Sequence, residues 1–258
     1  MISILTPTYN RRKTLQRLYE SILNQTSKDL EWIVIDDGSS DETKEFINQC
    51  CCEKKINIKY FFQQNKGKHA AINIGVELAL GDWIFIVDSD DAITPDAVEK
   101  IEKKIESYKS DDLAGICFRK ADFSGRIIGE KFNSFDDIFL SATEAGNYFK
   151  GDLAYVFRRQ VLDSNKFPVF KDEKFVPELY IWNKITDDGK VIFSISESIY
   201  LCEYLDGGYT KNFKNNLKKN PMGFFIFYVD QFKREKNTRM KLKNIIRSIQ
   251  CFYYILTK

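Results

Sequence analysis

A chain of 258 residues, 43% hydrophobic and 29% charged, is long enough for one large α/β domain or two small ones and can bury a full core without disulfide or metal staples. Its six cysteines, consecutive at Cys50, Cys51 and Cys52 and scattered at Cys117, Cys202 and Cys251, form neither a disulfide framework nor a CxxC zinc pattern, so a reducing, cytoplasmic setting is expected. The net charge of +2 conceals an asymmetry: residues 211–258 hold 12 Lys and Arg against 2 Asp and Glu, which puts +10 on the tail and −8 on the rest. With an acidic body and no reader motif, nucleic acid is excluded as a partner.

The first strand, Ile2 to Thr6, has no basic region or long apolar segment before it, which predicts no signal peptide. Arg12 to Gln25 follows as a helix with Leu15, Leu18 and Ile22 on one face, and Glu31 to Asp36 is the next strand. A helix starts at Ser40–Thr43 and ends in the cysteine cluster; Ile56 to Phe62 returns as a strand, and Ala71, Ile74, Gly75 and Leu78 mark another helix. Leu80-Gly81-Asp82 then turns the chain into Ile84-Phe85-Ile86-Val87, a buried strand that runs into Asp88-Ser89-Asp90-Asp91. Thr94-Pro95-Asp96 caps a helix that turns Val98, Ile101 and Ile105 inward. Strands and helices alternating at this spacing predict a mostly parallel sheet with helices on both faces.

In such a sheet ligands bind beyond the carboxyl ends of the strands. Three apolar runs end there in polar groups: Pro7-Thr8-Tyr9-Asn10, Asp36-Asp37-Gly38-Ser39 and Asp88-Ser89-Asp90-Asp91. The last run reads as a buried strand, and side chains two apart on a strand share a face, so Asp88 and Asp90 are expected to point the same way, two like charges that call for a hard divalent cation between them. The competing reading is an acidic loop that caps the next helix.

Further along, Gly151 to Phe157 reads as a strand, followed by a short helix, Phe167-Pro168 and the acidic segment Lys171 to Glu178, with Trp182 four residues on. Leu205 to Asn212 is glycine-rich and polar, a mobile flap or only a turn. In the tail Leu242, Ile245, Ile246, Ile249, Phe252, Tyr253 and Leu256 recur at three and four, with Lys243, Asn244 and Arg247 elsewhere on the wheel. This basic amphipathic helix either lies on an anionic membrane surface or packs its stripe on the main domain; docking of most of the stripe is the expectation favoured here. The longest apolar run near the end, Phe224 to Val229, is far short of the ~20 residues a spanning helix requires.

Four segments in order, Ser3 to Asn10, Val34 to Asp41, Asn65 to Asn73 and Asp88-Ser89-Asp90, resemble the motifs of glycosyltransferase family 2, with the GT-A nucleotide-diphospho-sugar transferase fold. The resemblance implies a Rossmann-like α/β domain with a donor-binding half at 1–120, an acceptor-binding half at 121–210 and the basic helical tail at 211–258. It implies that Pro7, Thr8 and Tyr9 line a base pocket, that Asp37 accepts from the base, with uracil expected, and that Asp88 and Ser89 lie at the ribose. Asp90, with Asp88, would hold Mn²⁺ or Mg²⁺ against the diphosphate. Lys68 would reach phosphate or stay in solvent, and Asn73 would bond ribose or sugar or serve the fold. His69, the single histidine, is a ligand contact or a structural residue. Inverting members of the family carry an acidic pair ahead of a tryptophan; here Pro177-Glu178 stands at that place, and Glu178 is the implied catalytic base, with Asp172 and Glu173 in reserve.

The Gln-x-x-Arg-Trp motif of processive synthases is absent, which implies transfer of a single sugar to a glycan or lipid-linked acceptor at the inner face of the plasma membrane. A non-catalytic relative that keeps the nucleotide pocket is the alternative. A nucleotidyltransferase is disfavoured, because no glycine- and arginine-rich phosphate loop follows the first strand.

Overall fold

The computed structural model describes residues 1–134, 136–203 and 213–258. The Leu205–Asn212 segment, read above as a flap or a turn, lies outside the described residues. The chain opens β1 (Ile2–Thr8), α1 (Arg12–Leu23), β2 (Leu30–Asp36), α2 (Thr43–Glu53), β3 (Asn57–Phe62), α3 (Lys68–Leu78) and β4 (Trp83–Ile86). These four strands are parallel in the order β3-β2-β1-β4, with Ile4 opposite Trp32 on one side and Phe85 on the other. Every residue of β1, β2 and β4 is buried, as a parallel sheet covered on both faces requires. One face packs Ile4, Trp32, Val34 and Phe85 against Leu15, Leu18 and Ile22 of α1 and Phe46 of α2. The other packs Leu5, Ile33, Ile35 and Ile84 against Ala71, Ile72 and Val76 of α3. Helix α3 approaches so closely that a Cβ on Gly75 would collide with the Leu5 side chain.

The chain continues with β5 (Ala92–Ile93), α4 (Ala97–Ser107), β6 (Leu113–Ala121), β7 (Asp137–Phe139), α5 (Ala142–Phe149), β8 (Leu153–Arg158), α6 (Arg159–Ser164), α7 (Leu179–Asp188) and β9 (Lys190–Leu201). Their strands join the same sheet, in the order β3-β2-β1-β4-β8-β6-β9-β5, with β7 beside β9. The α/β sheet with helices on both faces expected from the sequence is borne out, and antiparallel strands are added to its parallel half. Strand β8 lies antiparallel between β4 and β6, and β5 and β7 pair antiparallel with β9, so only the first four strands and the β6–β9 pair are parallel. The fold is a mixed α/β sheet with helices on both faces. The expected cap of α4 also differs: Asp96 makes no side-chain cap, its carboxylate being taken by Thr94 and Lys100, while the Val98 N–H donates to Gln25.

The tail forms α8 (Phe213–Lys219), α9 (Pro221–Arg234) and α10 (Thr238–Thr257). Docking of the α10 apolar stripe is overturned. Asn244 and Cys251 face the protein, whereas Leu242, Ile246, Ile249, Tyr253 and Leu256 are 57–71% exposed. No helix among the described residues is long and apolar enough to cross a membrane.

Candidate active site

The loops after β1, β2 and β4 meet on one rim because these strands are neighbours and their loops are bonded together. Asn10 adopts a φ of 53°, which lets its N–H reach Ser39 Oγ and its carboxamide oxygen receive the Ser40 N–H. Arg11 lies 3.5 Å from the Asp90 carboxylate. Tyr9, Asp37 and Asp90 therefore stand on three neighbouring loops that are bonded together, Tyr9 exposed, Asp90 partly exposed and Asp37 buried. Pro7 and Thr8 are buried, Tyr9 is half exposed, and the Thr8 hydroxyl has no protein partner.

Asp37 has a duty beyond the one the motif suggests. Its carboxylate accepts from Gln63 Nε2 and from the Lys66 and Gly67 N–H groups, at 2.6–2.8 Å. It thereby ties the end of β2 to the loop that launches α3. A carboxylate offers about four acceptor positions, so these bonds leave one, on a residue that is 4% exposed. Asn73 has a structural duty: its amide donates to the Phe167 carbonyl and accepts the Phe167 N–H, both at 2.9 Å, which anchors the 165–168 segment. A carboxamide carries two donors and two lone pairs, so these bonds use one of each.

Strand β4 ends at Ile86, so Asp88 and Asp90 do not share a face by strand alternation; they belong to a turn closed by Asp91 N–H donating to the Asp88 carbonyl at 3.2 Å. Ser89 is buried within it. The turn is held from the far side of the sheet: Tyr200 Oη accepts the Asp88 N–H at 2.8 Å and donates to Asp91 at 2.7 Å. Lys120 stacks over the Tyr200 ring at 3.8 Å. Burial, with Asp88 and Asp90 adding repulsion, pushes the Asp91 carboxyl up to about 7. Tyr200 and Lys120 are candidate site residues that the sequence reading missed, and Asp91, part of the acidic run, was given no role of its own there. Tyr200 and Lys120 come from β9 and β6, and only the sheet order brings them beside β4.

Beneath the rim a cavity of ≈ 370 Å³ is lined by Lys68, Asp88, Lys120, Glu178, Trp182 and Tyr200. Lys68, the first residue of α3, places its ammonium 2.5 Å from Asp88 and 2.6 Å from Glu178. Burial disfavours that charge, but the two carboxylates outweigh it and hold the Lys68 pKa above the ordinary value. Burial likewise opposes the Asp88 charge, yet Lys68 and Lys120 hold its carboxyl down. Glu178 stands at the start of α7, with its carbonyl accepting the Trp182 N–H. Trp182 packs against Tyr155, Phe157 and Phe167 and fixes that helix start.

The reserve acids lie elsewhere. Glu173 is buried and accepts the Met222 and Gly223 N–H groups at 2.9 Å, anchoring α9, while Asp172 is exposed. His69 is buried against Phe167, with neither ring nitrogen bonded.

No group of three or more His, Cys, Asp or Glu among the described residues is arranged to hold a metal alone. Asp88 and Asp90 offer two hard, partly exposed carboxylates, 31% and 27% accessible. That donor set fits Mg²⁺ or Mn²⁺ when substrate phosphate and water complete the shell.

The model of the family described as "Glycosyl transferase family 2" matches residues 3–163. A protein of Haemophilus influenzae described as an uncharacterized glycosyltransferase is 32% identical over 99% of this chain and 94% of its own length. A GalNAc(5)-diNAcBac-PP-undecaprenol beta-1,3-glucosyltransferase of Campylobacter jejuni is 30% identical over 70% of this chain, and the match spans 58% of that enzyme. Among solved structures, S. aureus TarS 1-349 in complex with UDP-GlcNAc superposes with a TM-score of 0.71 at 17% identity, covering 99% of this chain and 72% of TarS 1-349. The mannosyltransferase PcManGT from Pyrobaculum calidifontis, in complex with GDP-Man and Mn²⁺, gives 0.64 at 15%, covering 99% and 74%. At such identities the two superpositions speak for the fold, and the sequence matches speak for the family. The GT-A fold is thus shared with structures that hold nucleotide sugars and, in one case, Mn²⁺, and the chain belongs to glycosyltransferase family 2 and is a glycosyltransferase.

Proposed function

We propose that this enzyme moves a single sugar, with inversion, from a nucleotide diphosphate donor, UDP-linked in this reading, to a glycan or lipid-linked acceptor in surface polysaccharide synthesis. One observation carries the reading: the Lys68 ammonium joins Asp88, on the acidic turn, to Glu178, at the start of α7, across a single cavity. A direct displacement at the anomeric carbon needs a cationic surface for the departing diphosphate and one carboxylate on the acceptor side. The cavity has both.

In this reading residues 1–120 bind the donor, 121–210 the acceptor, and 211–258 form the tail. Pro7, Thr8 and Tyr9 border the base, and the free acceptor position of Asp37 receives its ring N–H. Asp88 and Ser89 lie at the ribose, and Asp88 with Asp90 holds Mn²⁺ or Mg²⁺. When bound, that ion neutralises charge on the leaving diphosphate. Lys68 exchanges its carboxylates for phosphate, and Glu178, released, takes the proton of the acceptor hydroxyl. The undecaprenol-linked substrate named for the Campylobacter relative supports a lipid-linked acceptor, and with it a place at the inner membrane face.

Two variants test the assignment. Glu178→Gln keeps donor binding, read as thermal stabilisation by UDP-sugars, while transfer falls by ~100-fold or more. Asp90→Ala loses the Mn²⁺-dependent part of that stabilisation. Unchanged turnover in Glu178→Gln removes it from the mechanism.

A further inference from the structure

Helix α10 spans Thr238–Thr257, about 30 Å at a 1.5 Å rise per residue. At 100° per residue its apolar residues Leu242, Ile245, Ile246, Ile249, Phe252, Tyr253 and Leu256 fall within an arc of about 120°. All are exposed, from 37% to 71%. The opposite arc makes the contact with the protein through buried Asn244 and Cys251, with Arg247 over the Phe213 ring at 5.0 Å. An amphipathic helix ordinarily buries its apolar arc; this one buries the other.

The outward surface does not stop at α10. The Phe252 ring lies 6.1 Å from Phe225 of α9, and Val229 and Phe232 of α9 are exposed along the same line of the helix. Lys241 sits over Phe232 at 5.8 Å. Lys233, Arg239 and Lys243 are exposed around the apolar area. The acids of this hairpin do not offset them, because Asp230 is paired with Arg234 and Glu235 is buried.

We propose that this α9–α10 surface docks on an anionic lipid bilayer, with the apolar arc at the acyl boundary and the lysines and arginine at the phosphate level. The charge chooses the occupant. A second copy laid face to face would oppose two basic rims, whereas an anionic headgroup layer complements one. An exposed apolar area of this extent with a charged rim marks an interaction surface. The hairpin is also tied to the segment that carries Glu178: Lys258 donates to the Asp172 carbonyl at 3.2 Å, and Glu173 anchors the first turn of α9. A bilayer under α10 therefore lies beside the acceptor side of the cavity. The inference draws on the proposed lipid-linked acceptor only for its purpose, and its test does not read sugar transfer.

The test is co-sedimentation of the full chain with phosphatidylcholine vesicles, with and without phosphatidylglycerol, at low and high salt. Retention is expected on the anionic vesicles, weakening with salt. The Ile246→Asp/Ile249→Asp double variant, at positions 57% and 64% exposed, is expected to lose it at least about tenfold. Stabilisation by a UDP-sugar should be the same in both proteins, which shows that the variant is folded and separates failure here from failure of the transferase reading. Three results overturn the proposal: no retention on anionic vesicles, equal retention of the variant, or a dimer that the variant converts to a monomer with no vesicle retention, which would give the surface to a second copy.

Discussion

His69 illustrates how a single side chain carries a cost that the fold accepts. It is 2% exposed, stacked edge-on to Phe167, and neither ring nitrogen has a partner. Burial depresses its pKa from 6.5 to about 4, against a smaller opposing pull from Asp37. The folded chain thus keeps the ring neutral while the unfolded chain takes up a proton below about pH 6.5. The sign follows: stability is intact above that value and is lost as the pH falls toward about 4. A His69→Leu variant should be as stable as the parent at pH 7, or more stable by about 1 kcal/mol, because two unpaired polar atoms leave the interior. Its melting temperature should fall less between pH 6.5 and 4. Parallel pH profiles for the two proteins would show that His69 does not titrate in this way. The histidine's place beside Lys68 was legible in the sequence, but its lack of partners was not, since Phe167 lies 98 positions away. Asn73 teaches the same lesson: the motif marked it, and its bonds to the Phe167 backbone, 94 positions away, were not legible.

At the scale of elements, the parallel half of the sheet was readable because each of its strands is a short apolar run followed by an amphipathic helix. The antiparallel insertion of β8 was not, because nothing local in Leu153–Arg158 names Ile84 and Ile116 as neighbours of its edges. The face by which α10 docks was also hidden: periodicity finds a stripe but not the direction in which it points, and Asn244 and Cys251 are weak signals of burial. The start of α3 shows how two elements are fitted together. Gly67 has a φ of +93°, and a Cβ there would collide with the Lys174 carbonyl oxygen, four residues before Glu178. Gly125 has a similar φ of +83° but open space around it. Gly125→Ala therefore isolates the backbone strain, a cost of about 1 kcal/mol. Gly67→Ala adds a clash with main chain and should cost about 2–4 kcal/mol. It should also weaken UDP-sugar binding, because Lys68 is the next residue. Urea unfolding of both variants decides: equal losses would mean that the contact of α3 with the segment around Lys174 is loose.

Over the whole molecule, the sequence announced an acidic body with a basic tail and three polar strand ends on one rim, both of which depend only on residue type and order. It did not announce that the lysine at the start of α3 would reach the start of α7. That bridge is a link across the cavity between the proposed donor and acceptor halves, and it can be measured. In the unliganded protein Lys68 and Glu178 are partly accessible, 38% and 35%, so solvent screening limits their coupling to about 0.5–1 kcal/mol. A double-mutant cycle of Lys68→Met and Glu178→Gln, read by urea unfolding, should return that value. With saturating UDP-sugar and Mn²⁺ the same cycle should fall toward zero, because the diphosphate takes over the ammonium and leaves the Glu178 carboxylate to the acceptor hydroxyl. Coupling that is absent without ligand would reduce the contact to a surface encounter. Coupling that persists unchanged with ligand would mean that Lys68 never lets go of Glu178, and the base would have to be sought elsewhere in the cavity.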